Sequence, residues 1–539
     1  MPSQPHPATI IHIGAFDLAS YGDQIFPLVA AHELARRLGE VEVLPFGPLG
    51  SPAGAGSVTS WSLGPWSPER AAALARRASL VLCGGGEIIH GDATIYGHFY
   101  RIDPRDAARL GVDRWYIEVL GAAEASCPVV WHSPGIPLDL DGADAARVRA
   151  AVAVRALATV RDEPSRRRLE AAGVDRAVDV VPDSAFLLPR VLPADSLARR
   201  RAQLRAAGHY PADGPVVVVQ GNGTMRGLAR ELAQALRELV PDARVTTASV
   251  SPCHDDGLFA EELSRALGQR SWSVPDDAPL ESIAAAIAGA DCFLGVSLHG
   301  AITARAYGRP HVTLDPFGQA KLRGLAELLD TRDARAADPA AAVRRVQSIL
   351  AVGASIAPDN NGLEARIDAH FDRIAELAAQ RAGATAIEPM TWADTATPLH
   401  LTLRRPPRRV DPSVETTPAG LRRPDLAPTF DELSAAVERA LAENRARAPE
   451  ATSDHDELVR LRGEATDLRG AIAHLEGQLR HDTELEATVA SLRDQLGKTE
   501  QERDRLASAV ESARSSRIFR MTRHPSALRD ADSAEDSVP

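Results

Sequence analysis

The sequence predicts an α/β protein of two open domains that face each other across a cleft, followed by a disordered linker and a C-terminal coiled coil. Three observations carry this. Between about residues 8 and 350, short apolar runs alternate with amphipathic helical runs. That is the pattern of a parallel sheet covered by helices on both faces. The pattern restarts after Pro193. From Leu458 onward the apolar spacing changes to threes and fours, the seam of a coiled coil.

In the first half the expected strands are TIIHIGAF from Thr9, VEVLPF from Val41, SLVLCGGG from Ser79, PVVWHSPG from Pro128, ALATVRD from Ala156 and VDVVPD from Val178. The second half offers PVVVVQGNG from Pro215, ARVTTASVS from Ala243, DCFLGVS from Asp291 and HVTLD from His311. The intervening helices carry ordinary punctuation. PSRRRLEAAG has Pro164 in its first turn and Gly173 past its end. Residues 8–190 and 210–382 are therefore read as two domains, joined around Leu188 to Gly214, the second closing with an amphipathic helix over 362–382. Ligands of such domains bind in the crevice at the carboxyl ends of the strands.

Residues 383–428 are rich in Pro, Arg and Thr and read as a linker. Residues 429–516 are read as a short helix and then the coiled coil. Its first register runs through Leu458, Leu461, Ala465, Leu468, Ile472, Leu475 and Leu479, and its second through Leu485, Val489, Leu492, Leu496, Leu506 and Val510. The phase slips by three residues between them, a stammer. A lone helix cannot bury such a stripe, so self-association, most simply as a dimer, is expected. Light scattering on chains with and without the tail checks this, and an unchanged oligomeric state would refute it. Residues 517–539 are read as a basic tail and a disordered end. Arg514, Arg517, Arg520 and Arg523 alternate there with Ile518, Phe519 and Met521, a strip suited to peripheral contact with an anionic membrane.

The formal net charge of −12 argues against nucleic acid as the partner, because phosphate backbones need basic stripes. The four cysteines, Cys83, Cys127, Cys253 and Cys292, form no C-x-x-C and no zinc-like spacing, so no metal is expected. Cys83 and Cys292 lie in strand-like runs and read as core. The first residues, MPSQPHPATIIHIG, show neither a basic region nor a long apolar one. The expected compartment is cytoplasmic, at the inner face of the cell membrane if the tail binds there.

The candidate site residues lie at strand ends. Gly22 permits a tight backbone after the first strand, and Asp23 reads as a helix cap or as a group facing a substrate hydroxyl. Gly84, Gly85 and Gly86 let the backbone approach a ligand, or pack a strand tightly against its loop. Glu87 and His90 follow at the same edge. The loop from Val129 to Pro137 is assigned no chemistry. Arg161 can grip a carboxylate or phosphate, or simply pair with Asp162. Asp183 comes near the same edge. In the second half Ser297 reads as a helix cap that can also donate a hydroxyl. His299 stands at a strand-to-helix turn, with Gly300 after it, where helix N-termini bind anions. Lys321 adds a point charge behind the next strand.

Taken together, GD at Gly22, CGGGEII, VRDEPSRRRLEAAGV, VVPDSAFLLP and SLHGAITARAYGRPHVTLD with Lys321 resemble the polysaccharide pyruvyl transferase family, over about residues 8–335. The resemblance implies two Rossmann-like domains of the GT-B-like type. It implies transfer of the enolpyruvyl part of phosphoenolpyruvate to a sugar or glycan precursor as a ketal, in surface polysaccharide synthesis. Phosphoenolpyruvate is then donor substrate, and no cofactor is implied. His299 becomes the acid/base, with Arg161 and Lys321 on the donor anions. Gly84 to Gly86 and the helix near Gly300 supply backbone N–H groups. Asp23 and Glu87 face sugar hydroxyls. Where the family often has arginine two residues before the histidine, this chain has Ser297, and the usual asparagine ahead of the GD pair is missing. The tail resembles the ends of some bacterial glycosyltransferases. A nucleotide-sugar glycosyltransferase and a non-catalytic glycan-binding scaffold are the two other readings.

Overall fold

In the computed structural model the described residues are 8–50, 58–118, 127–140, 142–331, 334–353 and 360–382, with Lys498 and Gln501. Apart from those two, the expected linker, coiled coil and basic tail lie outside the described residues. Both sheets belong to one compact unit of the chain, within residues 1–408.

The first sheet comprises β1 (Ala8–Ile13), β2 (Val41–Gly47), β3 (Trp61–Ser62), β4 (Leu80–Gly84), β5 (Val129–His132), β6 (Leu157–Val160) and β7 (Asp179–Val180), in the spatial order β3-β2-β1-β4-β5-β6-β7. The second holds β8 (Val216–Gln220), β9 (Arg244–Thr247), β10 (Ser271–Ser273), β11 (Cys292–Gly295), β12 (His311–Leu314) and β13 (Arg335–Ala336), in the order β10-β9-β8-β11-β12-β13. Every pairing is parallel. Both orders reverse direction once, between β1 and β4 and between β8 and β11. Doubly wound sheets bind ligands at such points. The central strands are buried on both faces, which is why VVVV and LVLC read as continuous apolar runs. The edge strands β3, β10 and β13 have two or three residues, too few for a periodic signal, and the sequence reading lacks them. All four cysteines are buried free thiols, Cys83 on β4 and Cys292 on β11. No helix among the described residues is long and apolar enough to cross a membrane.

One apolar cluster runs through both halves of the fold. It joins Ile25, Val29 and Phe186 to Ile283, Ala301 and Leu322. Polar ties reinforce it: Tyr21 Oη lies 2.8 Å from Thr303 Oγ1, and Tyr21 N–H donates to Val250 O. Helix Asn361–Ala382 differs from its expected place with the second domain: it packs against β1, β4 and helix Tyr21–Leu38 of the first sheet. Its buried stripe of Ile367, Phe371, Ile374 and Ala378 supplies the reason.

A charged knot fastens that return. Glu33, fully buried, lies 2.6 Å from Arg37, 2.8 Å from Arg36 and 3.3 Å from Arg190. Asp368 of the returning helix holds Arg37 at 3.0 Å and Arg190 at 2.8 Å. Breaking a buried ion pair from one side costs about 3–5 kcal/mol. Because Arg37 and Arg190 keep Asp368, Glu33→Ala should sit at the low end and lower the melting temperature by about 4 °C. An unchanged melt would show the knot to be energetically idle.

Candidate functional site

The turn bearing His299 is built by its neighbours in sequence and in space. Ser297 caps helix Leu298–Ala306, its Oγ accepting the Gly300 N–H at 3.1 Å. A side chain at Gly300 would run into the Phe293 ring, so glycine lets the helix lie close on β11. Gln220, at the end of β8, accepts from Val296 N and Ser297 N through Oε1. Its Nε2 donates to Asp256, whose carboxylate also accepts Val250 N and Ser251 N. The switch point of the second sheet is thereby pinned, and His299 projects from it across the domain boundary.

There the ring meets the first domain. His299 Nε2 lies 3.2 Å from Asp183 Oδ2. The ring stands edge-on to Phe26, with centroids 5.6 Å apart. A Cβ at Gly22 would overlap the imidazole, so glycine at this position is what lets the His299 ring lie against helix Tyr21–Leu38. Gly22→Ala should push the ring out of register and cost about 10²-fold in rate with the overall fold retained. Wild-type rates in that variant would show that the close fit is dispensable. The side chain of His299 is 12% exposed, so the ring is held rather than freely solvated.

Asp183 is 2% exposed and caps the short turn after β7, accepting from Ala185 N. Burial pushes its carboxyl up, but His299 and Arg161 outweigh burial and hold it below the ordinary carboxylate range. Arg161, 4% exposed, directly follows β6. Burial works against its charge, and Glu87, Asp162 and Asp183 overcome it. Its Nε lies 3.3 Å from Asp162 Oδ2 and its Nη2 3.2 Å from Glu87 Oε1. Glu87 Oε2 is 3.1 Å from Lys321 Nζ, which comes from helix Ala320–Leu329 of the second domain. For Glu87 burial raises the carboxyl, but Lys321 and Arg161 prevail and hold it at about 2. Asp23 is half-buried, and burial raises its carboxyl despite the nearby His299 and Arg161.

Asp23, Glu87, Arg161, His299 and Lys321 thus gather where residues of the two sheets meet within one unit. Other expectations are corrected. Asp23 is no cap: Ser20 holds that position and Asp23 lies in the first turn. The Gly300 N–H is taken by Ser297, and the Ser297 hydroxyl is used as the cap. Gly84 approaches the His132 carbonyl and Gly85 the Phe26 ring, where a Cβ would clash. Gly85 and Gly86 have φ of 92° and 72°, and Asp23 Oδ1 covers Gly86. Their glycine character therefore answers to close packing. His90 stacks on Tyr96 with ring centroids 4.2 Å apart and accepts from Asp92 N. Glu87 meets two cations, where contact with sugar hydroxyls was expected.

Sequence reasoning missed the His299–Asp183 pair, although the Asp183 motif was in view. It also missed His254, which stacks on Phe99 and lies within the electrostatic reach of Glu87 and Lys321. A histidine chain behind the site escaped notice too: His132 Nδ1 is 3.0 Å from His370 Nε2, and His132 Nε2 is 3.3 Å from Ser184 Oγ. A cavity of about 560 Å³ is lined by His370, Thr159, Glu163, Arg366 and Arg373 among others, and by none of the boundary groups.

A family model described as polysaccharide pyruvyl transferase matches residues 21–316. No curated protein matches the chain. Among solved structures, the chain is similar to UDP-GlcNAc 2-epimerase from Methanocaldococcus jannaschii, at 12% identity and a TM-score of 0.43, covering 69% of this chain and 99% of that one. It is also similar to UDP-GlcNAc 2-epimerase from Neisseria meningitidis, at 10% identity and a TM-score of 0.39, covering 69% and 98%. For a glycosyltransferase from Rickettsia africae ESF-5 the identity is 10% and the TM-score 0.41, covering 70% and 94%.

Proposed function

Because this chain belongs to the polysaccharide pyruvyl transferase family, we propose that it transfers a pyruvyl group from phosphoenolpyruvate to two hydroxyls of a sugar in a glycan precursor. The observation that supports this most directly is the His299–Asp183 pair, 3.2 Å apart, at the boundary that also holds Arg161 and Lys321. The reaction forms two C–O bonds from sugar oxygens to the central carbon of the donor and breaks that carbon's bond to the phosphate oxygen. Of the two hydroxyl hydrogens, one ends on the methylene, which becomes methyl, and the other on the released phosphate.

His299 is the group that moves protons, giving one to the methylene carbon and taking one from a sugar hydroxyl. Asp183 faces the ring and balances its charge whenever it is protonated, before it gives the first proton and after it takes the second. Arg161 and Lys321 bind the donor's carboxylate and phosphate, where negative charge grows as the phosphate leaves. Asp23 accepts from a sugar hydroxyl. The reaction needs no cofactor.

Phosphate release from phosphoenolpyruvate that depends on an added sugar acceptor tests the reading. A thermal-shift panel with phosphoenolpyruvate and nucleotide sugars accompanies it, since a bound donor raises the melting temperature. A rise with nucleotide sugars alone would reject phosphoenolpyruvate as donor. Glycan binding without turnover of any donor would leave a scaffold.

A further inference from the structure

Arg161 and Lys321 reach the boundary from different domains, and one carboxylate stands between them. Each oxygen of Glu87 takes one cation, at 3.2 and 3.1 Å. That is the bridge an incoming carboxylate or phosphoryl group would make. Arg161 Nη2 is buried and, despite its nearness to Glu87, has no hydrogen-bond partner. Gly135 makes room for the guanidinium, since a Cβ there would overlap it, and Asp162 holds its Nε at 3.3 Å. A fixed, buried donor group thus points at a space that Glu87 fills without hydrogen-bonding to it.

We propose that Glu87 is a built-in stand-in for the donor anion: it occupies the anion subsite between Arg161 and Lys321 in the empty protein and is displaced when the donor binds. The inference rests on the reading that an anionic donor binds at this boundary. It gives Glu87 a specificity role. A tethered carboxylate competes at high effective concentration. A monoanion offers the cations nothing that Glu87 does not already supply. A phosphoryl dianion brings more charge and more acceptor oxygens, and it wins. Mild acid does not open the subsite, because Lys321 and Arg161 hold the Glu87 carboxyl well below the usual carboxylate range. Displacement by a stronger anion does.

Titration calorimetry of the full chain with inorganic phosphate, and separately with phosphoenolpyruvate, tests this on wild type, Glu87→Gln and Glu87→Asp. Glutamine keeps the shape and removes the charge. Aspartate keeps the charge and shortens the reach. The expected result is phosphate binding tighter by roughly tenfold or more in Glu87→Gln and by a smaller factor in Glu87→Asp, since like charges in one site oppose each other. Adding Lys321→Met to Glu87→Gln should abolish the gain and so locate the subsite. Equal or weaker phosphate binding in both single variants, with melting temperatures near wild type, overturns the proposal and makes Glu87 a strut that holds the cations in place. The two readings separate cleanly. Tighter phosphate binding without sugar-dependent turnover of phosphoenolpyruvate keeps the stand-in and rejects the donor. Turnover in wild type without tighter phosphate binding does the reverse.

Discussion

Replacing His299 with alanine is expected to lower pyruvyl transfer about 10²–10⁴-fold, the usual range for loss of a positioned acid/base. The fold should survive with a measurable cost. The ring packs on Gly22 and Phe26, and its removal leaves the buried Asp183 without its partner. Taking away the group that faces a buried carboxylate is destabilising. Turnover should therefore be compared at a temperature well below the melting transition of both proteins, with circular dichroism confirming the fold. Asp183→Asn keeps the shape and removes the charge that faces the ring. It should reduce turnover by a smaller factor and change the pH profile, which a purely structural aspartate would not do. Full activity of His299→Ala on a confirmed donor would end the catalytic role of this residue.

Acid should destabilise the protein steeply, beginning well above the range in which carboxylates titrate. His90, His132 and His311 are buried, and burial lowers each ring from 6.5 to about 4. His12 and His370, also buried, are lowered well below the ordinary value, chiefly by burial and further by the neighbouring His132. The folded state holds these rings neutral, whereas the unfolded chain protonates them below pH 6.5. Stability is thus intact above pH 6.5 and is lost as the pH falls toward 4. At pH 5 each of the first three rings removes about 2 kcal/mol. Three together approach the whole stability of an ordinary domain. Melting followed from pH 7.5 to 5 should show a large drop, and His311→Phe should flatten the slope by about 1.4 kcal/mol per pH unit. A melting temperature that is level over this range would overturn the assignment of neutral buried rings. Glu87 and Asp183 act lower: their depressed values preserve stability above the carboxylate range, and it is lost only as the pH falls through those values.

What the sequence determined by itself is local. Apolar runs such as VVVVQ and LVLCG specify buried parallel strands because both faces need covering. Asp162 and Pro164 start a helix that Gly173 follows, through a cap and a fixed φ at one end and a left-handed turn at the other. The edge residues Asp23, Glu87, Arg161, His299 and Lys321 could be picked out because each follows a recognisable strand, and strand ends in such sheets converge. Tertiary structure decided the rest. His299 gains Asp183, Glu87 gains two cations, and helix Asn361–Ala382 returns to the first sheet. Each of these joins residues far apart in the chain. A local period records which face of an element is buried, but not which distant element covers it. That choice depends on how the two domains dock, on the space that Gly22 leaves open and on which buried charges must be paired once water is gone.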